Sequence, residues 1–505
     1  MNPLERARSQ PNALAFDDGT RPRPCQELVD RAWRIASLLR DELGVAPGEH
    51  VAMLMGNRVE FAELALGSLL AGVWIAPINW HFNPEEVAYV AADCRARALF
   101  CDPAFAATAA EGEIDCPRIE AGEQLDRILA GASDAPRSLE GPAGGIMLYT
   151  SGTTGRPKGV KRPGSLSIAE SFEQTAQGAR VMQLDGGGPN LVTGPLYHGS
   201  PYGFASMDMS LGASVIVMPQ FDAAEMLRII QEREVRATHL VPVMMVRALN
   251  LPEEMRASFD PGSLRTVLHG AAPVSVAVKR RMIDWWGPLL VEYWGSSEGG
   301  GYCVVDSQEW LAHPGTVGRP VESYEVFAVD ENLEPLPPGE VGVLYCRHKL
   351  TTEVFEYFNQ PDKTSEVHLV PGTFTNGDVG RVDPDGYVYL TDRAADMINS
   401  GGVNIYPAEI ESILLELPAV ADAAVFGIPD DEWGESVKAA VELVPGATPD
   451  PDLPGRILDW ARERMAGYKV PRSIDLLDEL PRSPNGKLYK RRLRDPYWAG
   501  RERRI

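Results

Sequence analysis

The sequence predicts an α/β protein with a large N-terminal domain and a small C-terminal domain. Strand-like and helical apolar patterns alternate up to about residue 300, which indicates two doubly wound αβ subdomains. Residues 313–390 change to short alternating strands with many turns, which indicates a β-barrel-like subdomain. The remaining residues predict a small α+β unit, so we expect domains at 1–393 and 394–505.

Length, composition and charge agree with this organisation. A chain of 505 residues exceeds what one hydrophobic core normally organises, and 44% hydrophobic with 24% charged residues is typical of globular proteins. The 48 basic and 71 acidic residues give a net charge of −23, which works against binding of nucleic acid or an anionic membrane. The longest apolar region, residues 64–78, contains two glycines and is too short for a membrane span.

The six cysteines have no metal-type spacing, so we interpret them as buried thiols in a reducing compartment. The first fifteen residues contain charges and prolines rather than the apolar core of a secretion signal. We therefore expect a cytoplasmic protein. The sequence carries no signature of oligomeric state, and a homodimer stays open.

Each predicted element follows from a local pattern. Apolar residues at helical spacing predict helices, uninterrupted apolar runs predict buried strands, and residues 101–143 carry only a weak pattern. The predicted elements are helix 26–39, strand 50–55, helix 60–71, strand 73–77, a helix from Pro84, strand 213–218, a helix from Asp222, strands 238–242, 264–269 and 289–293, strands 423–429 and 437–444, and helix 452–465.

A turn rich in glycine and hydroxyl residues follows the apolar run 145–148. Backbone N–H groups and hydroxyls in such a turn donate to phosphate oxygens, and Lys158 adds a mobile charge. The Walker pattern is absent because Gly159 follows Lys158, which disfavours an ordinary P-loop NTPase; a solvated surface turn is the alternative. The phosphate-binding candidates are Thr150, Ser151, Gly152, Thr153, Thr154 and Lys158.

Residues 149–160 as a whole string closely resemble the phosphate loop of the adenylate-forming superfamily of acyl-CoA synthetases, luciferases and peptide-synthetase adenylation domains. Further motifs occur in the family's order, and the resemblance covers about residue 25 to Leu493. It implies an ATP-dependent acid–CoA ligase. Carboxylate and ATP would give acyl-AMP and pyrophosphate, and CoA would then give acyl-CoA and AMP.

Glu298 follows the strand predicted at 289–293 and stands between hydroxyl residues and glycines. A carboxylate there is suited to hold Mg²⁺ with waters, although a solvated loop glutamate has the same pattern. The segment resembles the family's aromatic-Gly-x-Thr-Glu motif, with Ser297 for Thr and Trp294 for Tyr. The resemblance implies catalysis by Glu298 as a Mg²⁺ ligand with Thr150. It also implies nucleotide contacts from Gly270, Ala271, Ala272, Glu292, Tyr293, Trp294, Gly295, Ser296 and Ser297.

Two later motifs extend the resemblance to ribose and to domain movement. Asp378 and Arg393 match the family's ribose-binding residues, and both residue types suit hydroxyl groups and phosphate. The family's hinge residue falls at Ala395, where Asp or Lys is common. Either Ala395 serves, because hinge residues are often small, or Asp396 takes the role.

The C-terminal domain is implied to supply the catalytic lysine and part of the CoA site. Lys487 lies in the family's P-x-x-x-x-G-K pattern, although a solubilising lysine in a basic tail is the alternative. The resemblance has the small domain rotate, so that the loop of Ser400, Gly401 and Gly402 reaches the pantetheine tunnel. Lys469 would then meet a CoA phosphate.

His198 matches the family's gating histidine at the carboxylate pocket, although a lone histidine among aromatics is more often packed than catalytic. The glycines beside Glu298 are expected to leave room for a bulky acid, and the motifs hold no basic residue for a second carboxylate. The substrate class is therefore an apolar monocarboxylate of medium-chain, aryl or steroid type. The pocket candidates are His198, Ser200, Tyr202, Phe204, Met244, His269, Gly299, Gly301 and Cys303.

Two alternatives to CoA-ligase activity stay open. An adenylation enzyme of the peptide-synthetase type would load a carrier protein and would need that carrier as a separate partner. A luciferase-like oxygenase would consume O₂ after adenylation. A non-catalytic binding module is disfavoured, because Lys158, Glu298, Asp378, Arg393 and Lys487 are all present.

Overall fold

The computed structural model describes the chain except residues 151–155, 163–165, 394–395, 402, 431, 445, 448–450, 484–487 and 500–505. The first 150 residues build a parallel sheet in the order β4-β3-β5-β6. The strands are β1 Leu14–Asp17, β2 Arg23–Pro24, β3 His50–Leu54, β4 Trp74–Ile78, β5 Leu99–Cys101 and β6 Arg118–Glu120. The helices are α1 Pro3–Ser9, α2 Cys25–Ser37, α3 Val59–Ala71, α4 Pro84–Asp93, α5 Ala106–Glu111 and α6 Glu123–Leu129.

Local signals explain the ends of these helices. The Asn83 side chain and Glu86 form a reciprocal cap at the start of α4, with Pro84 in the first turn. Helix α3 ends at Gly72, whose left-handed φ of 73° suits glycine. Helix α2 continues as one wide turn over Leu38–Glu42.

The second subdomain carries the strands β7 Leu148–Thr150, β8 Lys158–Lys161, β9 Asn190–Val192, β10 Val215–Val217, β11 Ala237–Leu240, β12 Thr266–His269, β13 Leu290–Ser296, β14 Gly300–Asp306 and β15 Arg319–Pro320. Its helices are α7 Ile168–Val181, α8 Gly199–Leu211, α9 Ala223–Glu232, α10 Pro242–Leu249, α11 Glu253–Ser258, α12 Val276–Trp286 and α13 Ser307–Ala312.

A nine-stranded sheet runs in the order β15-β14-β13-β12-β11-β9-β10-β1-β2, and its strands from β9 to β13 are parallel. Helices cover both faces. Ala237, Leu268 and Val291 pack toward Ala179 and Phe204 of α7 and α8 on one face. The alternate positions of the same strands pack toward α9, α10 and α12 on the other. The predicted doubly wound arrangement is confirmed.

The barrel-like subdomain contains β16 Tyr324–Val329, β17 Gly342–His348, β18 Glu356–Tyr357, α14 Pro361–Val367, β19 His368–Val370, β20 Thr373–Phe374, β21 Asp378–Val382 and β22 Val388–Arg393. Its sheet runs β19-β20-β17-β21-β22, with β16 added to β17. Strand β18 leaves this sheet and pairs with β8, which attaches the barrel to the phosphate-loop hairpin.

The small domain contains β23 Ile398–Ser400, β24 Val403–Ile405, α15 Pro407–Leu414, β25 Val420–Asp430, β26 Gly434–Leu443, α16 Leu453–Arg462, β27 Ser473–Leu477 and α17 Lys490–Trp498. Its sheet runs β24-β23-β26-β25, with β27 parallel to β26. Ile398, Val425 and Val441 form its core with Ile410 of α15 and Ile457 of α16.

Two described contacts join the two predicted domains. Asp392 Oδ2 in β22 accepts a hydrogen bond of 2.9 Å from the backbone N–H of Ala408 in the first turn of α15. Burial raises the pKa of the Tyr197 hydroxyl, and Tyr489 of the small domain lies close enough to add to this shift. The boundary at 393 and 394 stays a prediction.

Two elements differ from the expectation. Residues 101–143 contain α5, β6 and α6. Each of these elements is short and has few apolar residues, which is why the sequence pattern is weak there. Strand β13 extends through Ser296, so three residues expected in the following turn are paired with β14. Among the described residues, no helix combines the length and the apolar character that a membrane crossing needs.

Candidate active site

The phosphate-loop segment connects two strands of an antiparallel hairpin. Thr150 at the end of β7 pairs with Lys158 at the start of β8, so both ends of the loop lie side by side. Four predicted phosphate-binding residues, Ser151, Gly152, Thr153 and Thr154, lie outside the described residues. Tyr357 of β18 pairs with Val160 on the other side of β8.

Lys158 and Glu298 approach the same tyrosine. The Nζ atom of Lys158 lies 4.7 Å from the centre of the Tyr357 ring. The Tyr357 hydroxyl donates a hydrogen bond of 3.1 Å to Oε1 of Glu298. Burial, together with the Glu298 carboxylate, raises the pKa of Tyr357, so the hydroxyl stays a donor at neutral pH. No pattern in the sequence assigned a role to Tyr357.

The loop that carries Glu298 is fixed by side-chain hydrogen bonds. Ser296 Oγ accepts from the backbone N–H of Glu298 at 3.0 Å and lies 2.5 Å from the Tyr302 hydroxyl. Arg162 donates to the carbonyl oxygen of Ser297 at 2.9 Å. The Glu298 backbone is therefore held before a ligand arrives.

The donor atoms here fit Mg²⁺ bound together with a nucleotide. In the described part of the chain, no three His, Cys, Asp or Glu side chains form a preassembled metal cage. Glu298 offers one half-buried carboxylate, and Thr150 offers one hydroxyl. Mg²⁺ usually binds through one or two carboxylates together with phosphate oxygens and waters, and Glu298 would supply a carboxylate to such a set.

Trp294 and Asp378 join strand β13 to the barrel. The indole Nε1–H donates to Oδ2 of Asp378 at 2.9 Å, and both side chains are buried. Asp378 also pairs across the ladder with Arg393, so the two predicted ribose residues are neighbours. The sequence predicted only a nucleotide contact for Trp294. The residue type could have indicated this contact, because the indole N–H of a buried tryptophan usually finds a hydrogen-bond acceptor.

The predicted adenine segment follows β12. Ala271 has a φ of 65°, a left-handed conformation that is costly for a residue with a side chain and is found preferentially at functional sites. A Cβ atom at Gly270 would lie 2.5 Å from the carbonyl oxygen of Tyr293, so only glycine fits. This close approach holds the turn against β13.

Glu292 does not offer its carboxylate to a nucleotide, which corrects one expectation. Its Oε2 lies 2.6 Å from Nζ of Lys279 in the interior between β13 and α12. Burial raises the pKa of Glu292, and burial lowers the pKa of Lys279. Only the backbone of Glu292 is left to frame adenine.

A polar and aromatic cluster lies between α8 and the sheet. The Tyr293 hydroxyl donates to Ser200 Oγ at 2.8 Å and lies 3.1 Å from Nε2 of His239. The Phe204 ring meets the Tyr293 ring edge-on, with centres 4.9 Å apart. Burial lowers the pKa of His239 to about 3, so this histidine is neutral at pH 7. The sequence did not single out His239.

Three other pocket candidates face away from this cluster, two of them across the sheet. His269 is fully buried on the opposite face, with Nε2 3.8 Å from Glu292. Met244 packs in the apolar core of that same face. Tyr202 points from α8 toward Phe61 of α3, with ring centres 5.8 Å apart. The expectation of one pocket is therefore wrong for these three side chains, because alternate strand and helix positions face different layers.

The expected space beside Glu298 is filled. A Cβ atom at Gly299 would lie 2.5 Å from the Tyr302 ring and 2.6 Å from Phe374, so Gly299 admits packed rings rather than a bulky acid. At Gly301 it would lie 2.7 Å from Met182. Cys303 is fully buried in the core beside the barrel. Residue type alone did not show these neighbours.

His198 precedes α8 as its first flanking residue, beside the cluster that contains Ser200. Its ring centre lies 4.2 Å from the Tyr197 ring, which meets Trp80 edge-on at 4.7 Å. The gating role of His198 stays a prediction. The aromatic wall around it agrees with a pocket entrance.

The small-domain candidates are only partly described. Lys487, Gly402 and the hinge candidate Ala395 lie outside the described residues. Ser400 ends β23, and Gly401 has a left-handed φ of 59° beneath Trp433. Lys469 Nζ lies 2.7 Å from both carboxylate oxygens of Glu409, so this lysine has an acidic partner in place of the expected phosphate.

Comparisons with known proteins identify the family. The sequence model of the AMP-binding enzyme family matches residues 4–355. The chain belongs to the AMP-binding enzyme family. The model of the AMP-binding enzyme C-terminal domain matches residues 409–487 of this enzyme.

The enzyme is similar along nearly its whole length to acid-activating ligases. It is 35% identical over 495 residues to feruloyl-CoA synthase from Amycolatopsis sp, covering 97% of each chain. It is 31% identical to the fatty acid–acyl-carrier-protein ligase ScoC from Streptomyces coeruleorubidus, covering 95% of this chain and 92% of that one. The crystal structure of ATP-bound MatB from Rhodopseudomonas palustris matches with a TM-score of 0.83 and 29% sequence identity, over 98% of this chain and 99% of that one.

These relationships establish the reaction type. The enzyme is an AMP-forming acyl-CoA synthetase, and its substrates are a carboxylic acid, ATP and CoA. The recognition of the adenylate-forming superfamily is confirmed. The roles of individual site residues stay predictions.

Proposed function

We propose that the enzyme activates an apolar monocarboxylate, with an aryl acid favoured over a steroid-type acid. The cluster of Phe204, Tyr293 and His239 supports this proposal, because three aromatic rings pack together beside Ser200 and suit contact with a flat acyl group. The rings packed at Gly299 argue against a pocket enlarged for a steroid. The similarity to feruloyl-CoA synthase points the same way.

In the first half-reaction, a carboxylate oxygen attacks the α-phosphorus of ATP, and the bond from that phosphorus to pyrophosphate breaks. Lys158 and the residues from Thr150 to Thr154 bind the β- and γ-phosphates, while Asp378 and Arg393 orient the ribose. Glu298 and Thr150 would hold Mg²⁺, which would offset phosphate charge when bound. Lys487 stabilises the charge that develops between the carboxylate and the α-phosphate.

In the second half-reaction, the CoA thiol attacks the acyl carbonyl carbon and AMP leaves with the former carboxylate oxygen. The small domain rotates about the hinge at Ala395 or Asp396. This movement removes Lys487 and brings the Ser400–Gly402 loop to the thiol channel. The Asp392–Ala408 contact would have to change in that rotation.

Transfer to a carrier protein is the second candidate. The similarity to ScoC, a fatty acid–acyl-carrier-protein ligase, favours it specifically. The adenylation step would be unchanged, because only the thiol that accepts the acyl group differs. The experiment therefore has to identify the thiol that accepts the acyl group.

The test is pyrophosphate release with ATP and Mg²⁺ over a panel of aryl, medium-chain and steroid-type acids, with and without CoA. We expect release with aryl acids and turnover that depends on CoA. Lys487→Ala should slow adenylation by about 10²- to 10³-fold, since it removes a charge directed at the transition state. Lys363→Ala, which removes an exposed lysine paired with Glu366, is the matched control.

Acid-dependent release that ignores CoA would instead support the carrier protein as acceptor. A folded enzyme whose adenylation rate is the same with and without Lys487 would overturn the proposed mechanism. Preference for medium-chain acids over all aryl acids would overturn the proposed substrate.

A further inference from the structure

We propose that Tyr357 is a positioning residue of the nucleotide site, which holds Glu298 through its hydroxyl and Lys158 through its ring. This inference rests on the proposed roles of Glu298 toward Mg²⁺ and of Lys158 toward phosphate. Tyr357 itself lies outside every motif that the sequence singled out.

The backbone of Tyr357 is fixed on the sheet that carries the phosphate loop. Tyr357 pairs with Val160 of β8, and the next residue, Phe358, donates to the Gly159 carbonyl oxygen at 2.8 Å. The Tyr357 N–H donates to Thr364 Oγ1 at 2.9 Å. The side chain therefore starts from a held position one strand away from the loop.

The hydroxyl selects one orientation of the Glu298 carboxylate. It donates to Oε1 at 3.1 Å, and Oε2 receives no hydrogen bond from the residues that the structure describes. A carboxylate held by one oxygen keeps the other for a cation. Preorganisation of this kind lowers the cost of binding, because the rotamer is fixed in advance.

The ring holds the Lys158 ammonium without neutralising it. Nζ lies 4.7 Å from the ring centre, and Lys158 makes no ion pair within the described ranges. A ring attracts a cation through its quadrupole and leaves the full charge available to an incoming phosphate. An acidic partner would have to be displaced first.

Tyr357 therefore contacts two side chains of opposite charge, and within the described ranges these two form no ion pair with each other. Elsewhere in the enzyme, Lys279 and Glu292 have no side chain between them and meet at 2.6 Å. A direct pair of Lys158 with Glu298 would withhold the lysine from phosphate and the carboxylate from the metal. The tyrosine keeps both ready for the same ligand.

The experiment measures the Kd of ATP by calorimetry, without acid or CoA, once with Mg²⁺ and once with EDTA. For Tyr357→Phe, which keeps the ring and loses the hydroxyl, we expect the Kd of ATP with Mg²⁺ to rise about three- to tenfold. The Kd in EDTA should change less than about twofold, because Glu298 acts only through the metal. For Tyr357→Leu, both Kd values should rise about three- to tenfold, since Lys158 loses its ring.

Tyr387→Phe is the matched control. It removes a similar hydrogen bond, from the Tyr387 hydroxyl to Glu309 Oε1 at 2.8 Å, at a position away from the phosphate loop. Both Kd values should stay at the wild-type level. The midpoint of thermal unfolding confirms that each variant is folded.

Two results would overturn the inference: a Tyr357→Phe enzyme that binds ATP with Mg²⁺ as tightly as wild type, or an equal weakening with Mg²⁺ and with EDTA. The second result would indicate a merely structural tyrosine. A wild-type enzyme with acid-dependent pyrophosphate release but no effect of Mg²⁺ on ATP affinity would overturn the metal role of Glu298, and the role of the hydroxyl with it.

Discussion

Lys279 and Lys469 each pair with a glutamate at nearly the same distance, in very different surroundings. Lys279 lies 2.6 Å from Glu292, with side-chain exposures of 0% and 7%. Lys469 lies 2.7 Å from Glu409, with exposures of 21% and 46%. Water screens the second pair and not the first. Loss of one partner would therefore leave an uncompensated buried charge in the large domain, whereas the pair in the small domain is an exchangeable contact.

This difference matches the work of the two domains. The Lys279–Glu292 pair lies beneath β13, the strand that carries the predicted nucleotide contacts Tyr293 and Trp294. That strand has to keep its position through both half-reactions. The Lys469–Glu409 pair belongs to the domain that we propose to rotate, where a lysine that changes partners at low cost suits a CoA phosphate.

Removal of one partner of the buried pair is expected to have the largest effect. Lys279→Ala should lower the free energy of unfolding by about 3–5 kcal/mol, because it leaves Glu292 buried without its cation. Urea unfolding at neutral pH measures the loss. Lys363→Ala, which breaks the exposed pair with Glu366, should change the free energy of unfolding by less than about 1 kcal/mol. Equal small effects of the two substitutions would contradict the comparison.

The loss in Lys279→Ala should also depend on pH. Burial raises the pKa of Glu292, and removal of Lys279 takes away the cation that opposes this shift. A raised pKa favours the folded protein at low pH and loses that contribution as pH rises. The deficit should therefore be smaller at about pH 5 than at about pH 8. A deficit that grows toward low pH would show that Glu292 is not the group left uncompensated.

The hinge contact should give an intermediate effect that separates the half-reactions. Asp392→Ala removes the acceptor for the Ala408 N–H, and a lost helix cap of this kind costs about 0.5–2 kcal/mol. Tyr489 adjoins Tyr197, the neighbour of His198 in the chain, in this orientation. We therefore expect acyl-AMP formation to slow about two- to tenfold, with thioester formation from added acyl-AMP unchanged.

Asp392→Asn is the control, because asparagine also caps helix N-termini well. Its acyl-AMP formation should stay near the wild-type rate. A loss equal to that of Asp392→Ala would assign the effect to charge instead. Lys490 is the cation that such a charge effect would involve. Burial acts to lower its pKa, but the carboxylates of Glu411, Asp392 and Asp396 outweigh burial, so the pKa of Lys490 is raised.

Disruption of the exposed pair should have the smallest effect on stability. Lys469→Ala should change the free energy of unfolding by less than about 1 kcal/mol. If Lys469 binds a CoA phosphate, the KM for CoA should rise several-fold while acid-dependent pyrophosphate release is unchanged. Glu409→Gln keeps the lysine and removes its competitor, so its KM for CoA should not rise. A Lys469→Ala enzyme with the wild-type KM for CoA would remove this residue from the CoA site.

Local patterns in the chain predicted the layers of the fold and the residue types of the candidate site. Apolar periodicity depends on nearby residues, so the alternating strands and helices around β11 to β13 were readable in the chain. The candidate residues Lys158, Glu298, Asp378 and Arg393 were named on short motifs that resemble those of the family, because local composition alone left ordinary surface turns as an alternative. Their roles stay predictions.

Only the tertiary structure decided which side chains meet. His269 and Ser200 were expected in one pocket, but strand parity and the packing of α8 put them on opposite faces of the sheet. Gly299 was expected to leave space, but Tyr302 and Phe374 fill it. Tyr357 bridges Lys158 and Glu298 because β18 leaves the barrel to pair with β8. Such contacts depend on register between segments far apart in the chain, which no local pattern encodes.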